Sequence, residues 1–272
     1  MEICFLGTNG AIPTPKRGNV SFLIWSGSFS LLVDVSGNPV QSLMKVGIDP
    51  LTLDTVVLTH AHTDHLYALP SLFHTLWMMR RKKRLTLFAN PHTEQKAKEL
   101  LRVFGLEERP GLFPYRFLTI PPEPGTAYFP LPVDEESLPG GGGMLFFPTL
   151  HSVLTHGFLL NTGGRKILYT SDTAPLPAWK VDSVDVLIHE ASGTEKEEGA
   201  LNSSGHSSSR QAVEAALHLH ARELFLCHFP EDKEKVKLIG REARRKIRES
   251  GYDLLLRVPV PFRWYPIERV SL

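Results

Sequence analysis

The chain has 272 residues, 42% of them hydrophobic and 22% charged, the composition of a globular protein able to bury a large core. Its 30 Lys and Arg against 29 Asp and Glu leave a formal net charge of +1, which excludes a global field for drawing in polyanions; such binding would need local patches. The two cysteines, Cys4 and Cys227, exclude a disulfide framework and a Cys-x-x-Cys site.

In chain order, Ile3–Leu6 reads as a short strand ending in the turn Gly7-Thr8-Asn9-Gly10. Val20–Trp25 and Ser30–Val35 read as a hairpin joined at Ser26-Gly27, and Pro39–Val46 as a helix with proline in its first turn. The apolar run Val56-Val57-Leu58 reads as a buried strand, and Leu66–Arg80 as a helix. Leu85–Ala89 is the next strand, and Glu94–Phe104 the next helix, with Ala97, Leu100, Leu101 and Phe104 at helical spacing. Residues 109–143 are rich in Pro and Gly and end in Gly140–Gly143. They read as a flexible connection, because the glycine run lacks the Lys-Ser/Thr that follows in a phosphate-binding loop. Strands are expected at Met144–Thr149, Gly157–Asn161, Lys166–Thr170 and Val184–His189, with Asn161-Thr162-Gly163-Gly164 as a hairpin turn. A helix Gln211–His220, a strand Leu224–Cys227, a basic helix Lys233–Ser250 and a strand Asp253–Val258 complete the chain.

This order predicts an α/β (α+β) fold: a single domain, 1–272, of two similar halves at about 1–135 and 144–272, with two mixed β-sheets face to face and helices outside. Met1-Glu2-Ile3-Cys4 does not open a signal peptide, and no run approaches the roughly 18 apolar residues of a membrane span. The expectation is a cytoplasmic, reducing setting and no membrane partner.

The chemistry concentrates in Thr59-His60-Ala61-His62-Thr63-Asp64-His65. Four side chains able to bind metal sit between a strand and a helix, where open α/β sheets place ligands. Imidazole and carboxylate without thiolate suit a divalent transition metal, zinc above all. Further candidates stand just past β-runs: His151 after Met144–Thr149, Asp172 after Lys166–Thr170, and His228 after Leu224–Cys227. Singly, they could be a turn histidine, a helix cap and a loop residue. Their recurrence at strand ends points to one convergent site.

The pattern His60-x-His62-x-Asp64-His65, followed by His151, Asp172 and His228, resembles the metallo-β-lactamase superfamily, whose fold is an αββα sandwich. The resemblance implies two divalent metals, zinc or alternatively manganese, about 3.5–4 Å apart and sharing an activated water. His60, His62 and His151 would hold one, Asp64, His65 and His228 the other, and Asp172 would bridge them. Within the superfamily the chain resembles the ribonuclease Z branch of phosphodiesterases. Phe5-Leu6-Gly7-Thr8 with Arg17-Gly18-Asn19 is similar to its opening, and His189-Glu190-Ala191-Ser192 to its His-Glu-Ala-Thr motif. Gly205-His206-Ser207-Ser208 is similar to its His-Ser-Thr motif, and Gly157-Phe158 to a Gly-aromatic pair after the ligand at His151.

The implied activity is hydrolysis of a phosphodiester in nucleic acid, a cyclic nucleotide or a small cyclic phosphate. His206 would protonate the leaving alkoxide, with Glu190 pairing to keep it protonated, and Asp64 would act as general base. The ordinary reading of His206 is an exposed residue in a Ser-rich loop, and that of Glu190 a carboxylate in a surface salt bridge. Ser208-Ser209-Arg210-Gln211 has the form of a capping box, and a helix N-terminus there would favour an anion.

The branch's tRNA-gripping arm would fall between His151 and Asp172, where only 20 residues intervene. Asp34 matches a family aspartate but is followed by Val35-Ser36-Gly37 and not Cys-Gly-Glu-Gly; His228 is followed by Phe229-Pro230-Glu231 and not Ser-x-Arg-Tyr. The alternatives are a carboxyl-type hydrolase (lactonase, thioesterase or β-lactamase) and a metal-bearing binding protein without turnover. The added donor pair argues against the first, and a complete two-metal ligand set against the second. A homodimer stays open. His74, His92, His218 and His220 read as surface or core residues, while His156, beside the metal edge, is a candidate substrate contact. The basic runs Arg80–Arg84 and Arg241, Arg244, Arg245 and Arg248 read as solvated faces ahead of phosphate sites.

Overall fold

The computed structural model describes residues 1–27, 29–122, 127–130, 142–178 and 181–267. The chain opens with β1 (Glu2–Gly7), β2 (Ser21–Trp25), β3 (Ser30–Val33), α1 (Pro39–Lys45) and β4 (Thr55–Leu58). There follow a single helical turn α2 (Thr63–Leu66), α3 (Leu69–Met78), β5 (Leu85–Ala89), α4 (Pro91–Val103) and β6 (Tyr115–Thr119). Next come β7 (Ala127–Pro130), β8 (Gly142–Pro148), β9 (His156–Thr162), β10 (Arg165–Tyr169) and β11 (Val186–Glu190). The last elements are α5 (Glu198–Ser203), α6 (Ser209–His218), β12 (Glu223–Cys227), α7 (Lys233–Ser250), β13 (Leu255–Arg257) and β14 (Trp264–Pro266).

Local chemistry sets these boundaries. The side chains of Asn38, Asn90 and Asp232 accept backbone N–H groups at the starts of α1, α4 and α7, and Ser208 with Gln211 forms a reciprocal capping box at α6. Gly163 and Gly164, both left-handed at φ 58° and 73°, close the tight β9–β10 hairpin as a primed turn requires.

Among the described residues the strands form two seven-stranded sheets, β14-β1-β2-β3-β4-β5-β6 and β13-β12-β11-β10-β9-β8-β7. In the first, β14 to β3 pair antiparallel and β3 to β6 parallel. The second repeats that pattern from β7: antiparallel to β10, then parallel to β13. The sheets face each other across an aromatic core that includes Phe5, Phe22, Phe158, Tyr169 and Phe225; the Phe22 and Tyr169 rings meet edge to face at 4.9 Å. Leu69, Leu72, Phe73, Ala97 and Leu101 cover the outer face of the first sheet, and Ala212, Val213, Ile239 and Ala243 that of the second. The result is the expected αββα sandwich. No helix among the described residues is long and apolar enough to cross a membrane.

Several expectations are corrected. The helix expected over Leu66–Arg80 is broken at Tyr67-Ala68, with Pro70 in the first turn of α3; Asp64 and His65 lie inside α2 and not in a loop. Residues 109–143 hold β6 and β7, and Gly142 and Gly143 begin β8, while Gly140 and Gly141 lie outside the described residues. Both missed strands sit at sheet edges, where proline is tolerated and its signal misleads. The two sheets also exchange strands across the expected halves. β7 joins the second sheet, and β14, from the C-terminal end, completes the first.

The run Arg80–Arg84 is not a solvated face throughout. Arg81 is 2% exposed, and its guanidinium donates to the carbonyls of Pro50, Leu51, Leu53, Lys83 and Arg84, tying α3 to the turn before β4. Burial lowers its pKa to about 10, so it stays charged at neutral pH.

His156 is likewise not a substrate contact, since it is 1% exposed beneath the site, with its backbone N–H on the Thr59 carbonyl. Neither ring nitrogen makes a well-directed hydrogen bond. Burial drives its pKa down to about 4, with the Pro121 carbonyl opposing. An unfolded chain holds histidine near ~6.5. The unfolded state therefore takes up the proton first, and the stability due to neutral His156 is complete above about pH 6.5 and lost as pH falls toward 4. In urea unfolding, His156→Phe is expected to lose about 2–3 kcal/mol less than the parent between pH 7 and 4.5. Parallel pH profiles would contradict this.

Candidate metal centre

Strand ends on one edge of the sandwich supply the site. His60 and His62 follow β4, Asp64 and His65 lie in α2, His151 joins β8 to β9, Asp172 follows β10, and His228 follows β12. The ligand atoms of His60, His62 and His151 lie within 4.8 Å of one another, as do those of Asp64, His65 and His228. Asp172 Oδ2 stands among both groups, 3.7 Å from His60 Nε2, 3.8 Å from His151 Nε2, 3.5 Å from His65 Nε2 and 3.0 Å from His228 Nε2. All the ligand positions read from the sequence are thus brought together, and His206 joins the same cluster, with a ring nitrogen within 4.8 Å of the ligand atoms of His151 and Asp172 and of those of Glu190 and His228.

The turns that deliver these groups are strained. Asp34, Ser171 and His228 have left-handed backbone angles (φ 54°, 56° and 57°) one or two residues past β3, β10 and β12. Non-glycine residues adopt this region only when the surroundings impose it, and they gather at functional sites. Two glycines make room nearby. A Cβ on Gly10 would meet the His228 ring at 2.7 Å, and one on Gly205 would meet His151 Cα at 2.8 Å.

A buried carboxylate orients the first half of the centre. Asp34 Oδ2 accepts from His65 Nδ1 at 2.7 Å, and the Asp34 oxygens accept from both the backbone N–H and the hydroxyl of Thr59. Having given its proton to Asp34, the Thr59 hydroxyl is left to accept from His60 Nδ1 at 3.0 Å. In their neutral forms His60 and His65 therefore each present the Nε2 lone pair inward. His151 does the same, its Nδ1 donating to the Gly205 carbonyl at 2.8 Å.

The second half repeats the device. Glu190, 0% exposed, accepts from Thr173 N at 2.6 Å, from the Ser192 hydroxyl at 2.6 Å and from His206 Nδ1 at 3.1 Å. The Ser192 hydroxyl in turn accepts from His228 Nδ1 at 2.9 Å, which frees His228 Nε2. Thr59, Ser192 and Gly205 stand inside the motifs quoted from the sequence, but nothing local marks them as the hydrogen-bond partners of the histidines.

The electrostatics follow from this crowding. Burial and the neighbouring imidazoles hold His60 well below the ordinary histidine pKa. For His65, burial pulls down but Asp172 and Asp34 lift it well above. Burial of Asp172 is outweighed by His228 and His65, which keep it a carboxylate. For His206, burial is outweighed by Glu190, so its pKa is raised.

This donor set fits divalent cations. His65 Nε2, His228 Nε2 and Asp172 Oδ1 are buried with no hydrogen-bond partner. His62 Nδ1 lies 3.1 Å from both His60 Nε2 and His151 Nε2, and it can satisfy only one of those lone pairs with a proton. A cation shared by the three nitrogens removes that conflict.

Comparison with known proteins agrees with this reading. A family model described as a beta-lactamase superfamily domain matches residues 31–229. A Ribonuclease Z of Pyrobaculum neutrophilum is 31% identical, the alignment covering 84% of this chain and 86% of that protein. A Ribonuclease Z of Picrophilus torridus is 26% identical over 92% of each chain. The solved structure of the short form of human tRNase Z shares the fold, with a TM-score of 0.78 and 21% identity over 99% of this chain and 100% of that one. The metallo-β-lactamase fold protein YhfI of Bacillus subtilis does so too, with a TM-score of 0.77 and 20% identity over 97% of this chain and 98% of that one. The chain belongs to the metallo-β-lactamase superfamily. Its place there is the ribonuclease Z-like branch, and the activity class this defines is metal-dependent hydrolysis.

The hydrogen bonds of Asp34 yield a test. An asparagine there cannot accept from Thr59 and from His65 Nδ1 at once, so one orientation would put a proton on His65 Nε2 and the other would oppose two donors. Asp34→Asn is expected to weaken zinc binding about 10–100-fold in chelator competition, with the secondary structure retained. Unchanged zinc affinity would contradict the orienting role.

Proposed function

We propose that the chain is a dinuclear metal-dependent phosphodiesterase that cleaves a phosphodiester in RNA or DNA, a cyclic nucleotide or a small cyclic phosphate. The observation that carries this reading is the Glu190–His206 pair set beside the carboxylate oxygen of Asp172. A thioester, whose thiolate leaves unaided, needs no such added donor. Kinship with ribonucleases Z supports nucleic acid as the substrate class. Residues 1–272 act as one domain in this reading, because β14 returns from the C-terminal segment to pair with β1.

In this proposal His60, His62 and His151 would hold one cation and Asp64, His65 and His228 the other, with Asp172 available to both. Zinc is the first candidate and manganese the second. Two such cations supply a nucleophile at neutral pH and offset charge on the phosphoryl oxygens. The remaining work falls to the protein. Asp64 stays ionised because His228 and His65 outweigh its burial, so it can accept a proton at the centre. Glu190 fixes the proton on His206 Nδ1, and its charge raises the histidine's pKa against burial. The ring then offers its other nitrogen, protonated to higher pH than a free histidine, to the departing oxygen. The capped start of α6 just beyond His206 adds partial positive charge near the phosphate.

Leaving-group chemistry tests the assignment. With zinc or manganese the protein is expected to hydrolyse both bis(p-nitrophenyl) phosphate and a dinucleotide. His206→Ala should slow the dinucleotide, whose alkoxide must be protonated, by about 10²–10⁴-fold. The nitrophenyl ester, whose phenolate leaves unaided, should slow far less, and the metal content should be unchanged. Metal loss in this variant would make His206 a ligand and not a donor. Turnover of lactams or thioesters with none of phosphodiesters would overturn the proposal.

A further inference from the structure

Some basic residues of this near-neutral chain are held by acidic partners, among them Lys83 on Asp54, Lys98 on Glu94, Arg210 on Glu198, Lys235 on Glu197 and Arg257 on Glu223. Among the described residues Arg17, Arg241, Arg244 and Arg248 make no ion pair, and they stand together. An open groove of about 570 Å³ runs between α7 and the turn Thr14–Arg17, lined by Arg17, Lys237, Arg241 and Arg244 over a floor of Val236 and Val258. Its one acidic residue, Glu234, is neutralised by Lys237 at 2.6 Å. A second groove of about 360 Å³ shares Arg241 and Arg244 and continues along α7 to Arg248.

The groove adjoins the centre through two segments. The chain leaves His228 and enters α7 five residues later, at Lys233. The loop that carries Arg17 packs Gly10 against the His228 ring and pairs with Phe229 through Gly10 N to Phe229 O (2.9 Å) and Phe229 N to Thr8 O (2.9 Å).

We propose that this groove holds the sugar-phosphate backbone of a nucleic-acid strand whose scissile phosphodiester lies at the metal centre; the second clause rests on the phosphodiesterase reading above. Guanidinium groups match phosphate oxygens in a two-pronged geometry. Of the carboxylates beside them, Glu234 is paired with Lys237 and Glu242 accepts from the backbone N–H of Glu195, and the four guanidiniums outnumber them. Arg241 to Arg248 spans seven residues, about 10 Å of helix, a length over which one strand presents about three phosphates. Contacts of this kind position a strand without reading its bases, so binding should be insensitive to sequence and sensitive to salt.

The test is fluorescence anisotropy with a labelled 20-nucleotide single-stranded RNA, comparing the metal-loaded parent with the double variant R241E/R244E across a salt series. The parent is expected to bind RNAs of unrelated sequence alike. The variant should bind about tenfold or more weakly, with a log–log salt slope shallower by about 1.4, about 0.7 for each phosphate no longer neutralised. Its metal content and melting temperature should match the parent's. If charge reversal unfolds α7, Arg241→Gln with Arg248→Gln gives the same comparison. Unchanged affinity and slope would overturn the proposal, as would parent binding to phosphatidylserine vesicles but not to RNA. Binding needs no turnover, so a chain that binds RNA through these arginines yet cleaves no phosphodiester keeps the groove and loses the catalytic reading.

Discussion

One carboxylate oxygen carries the architecture of the centre. Asp172 Oδ2 stands within 3.0–3.8 Å of nitrogens from His60, His65, His151 and His228, in a place where its residue is 1% exposed. A buried charge without compensation costs several kcal/mol or more, and a protein retains one only where opposite charge or directed hydrogen bonds offset it. His65 and His228 supply that offset: against the pull of burial, Asp172 raises the pKa of both, and their charge in turn keeps it ionised. Cations held by the same Nε2 atoms would take over this role and leave the imidazoles neutral. The backbone is strained where this oxygen is delivered, at the left-handed Ser171, as it is at Asp34 and His228.

The orienting groups follow the symmetry of the sheets. In each half a carboxylate at a strand end gathers a backbone N–H, a hydroxyl and an imidazole. Asp34 takes Thr59 N, Thr59 Oγ and His65, and Glu190 takes Thr173 N, Ser192 Oγ and His206. In each, the hydroxyl then receives a proton from one more histidine, His60 or His228. The equivalence breaks at the direct imidazole. His65 is sealed at 0% exposure and turns inward to the centre, whereas the His206 side chain is 21% exposed. A shared structural device thus presents a sealed imidazole in one half and a solvent-reaching one in the other.

Much of this was legible in the sequence. The run His60–His65 could be read because its ligands are neighbours, and short spacing alone brings them together. His151, Asp172 and His228 could be read only from their recurrence at strand ends, since nothing local separates a ligand from a turn residue. The relay through Asp34 could not be read, because its bonds join residues 25 and 31 positions apart and depend on β3 lying beside β4. β6 and β7 were hidden by proline and glycine, which edge strands tolerate. Composition also failed for charge: Arg81 looks like its neighbours in the sequence yet is buried under five carbonyls, while the arginines of α7 are an ordinary solvated stripe until Arg17 is brought across from them.

A dinuclear centre requires that Asp172 be shared. Crystals grown with zinc and measured at the zinc absorption edge should give two anomalous peaks about 3.5–4 Å apart. One should lie among His60, His62 and His151, the other among Asp64, His65 and His228, with Asp172 Oδ2 between them. A single peak, or two peaks with Asp172 bound to neither or to one alone, would contradict it.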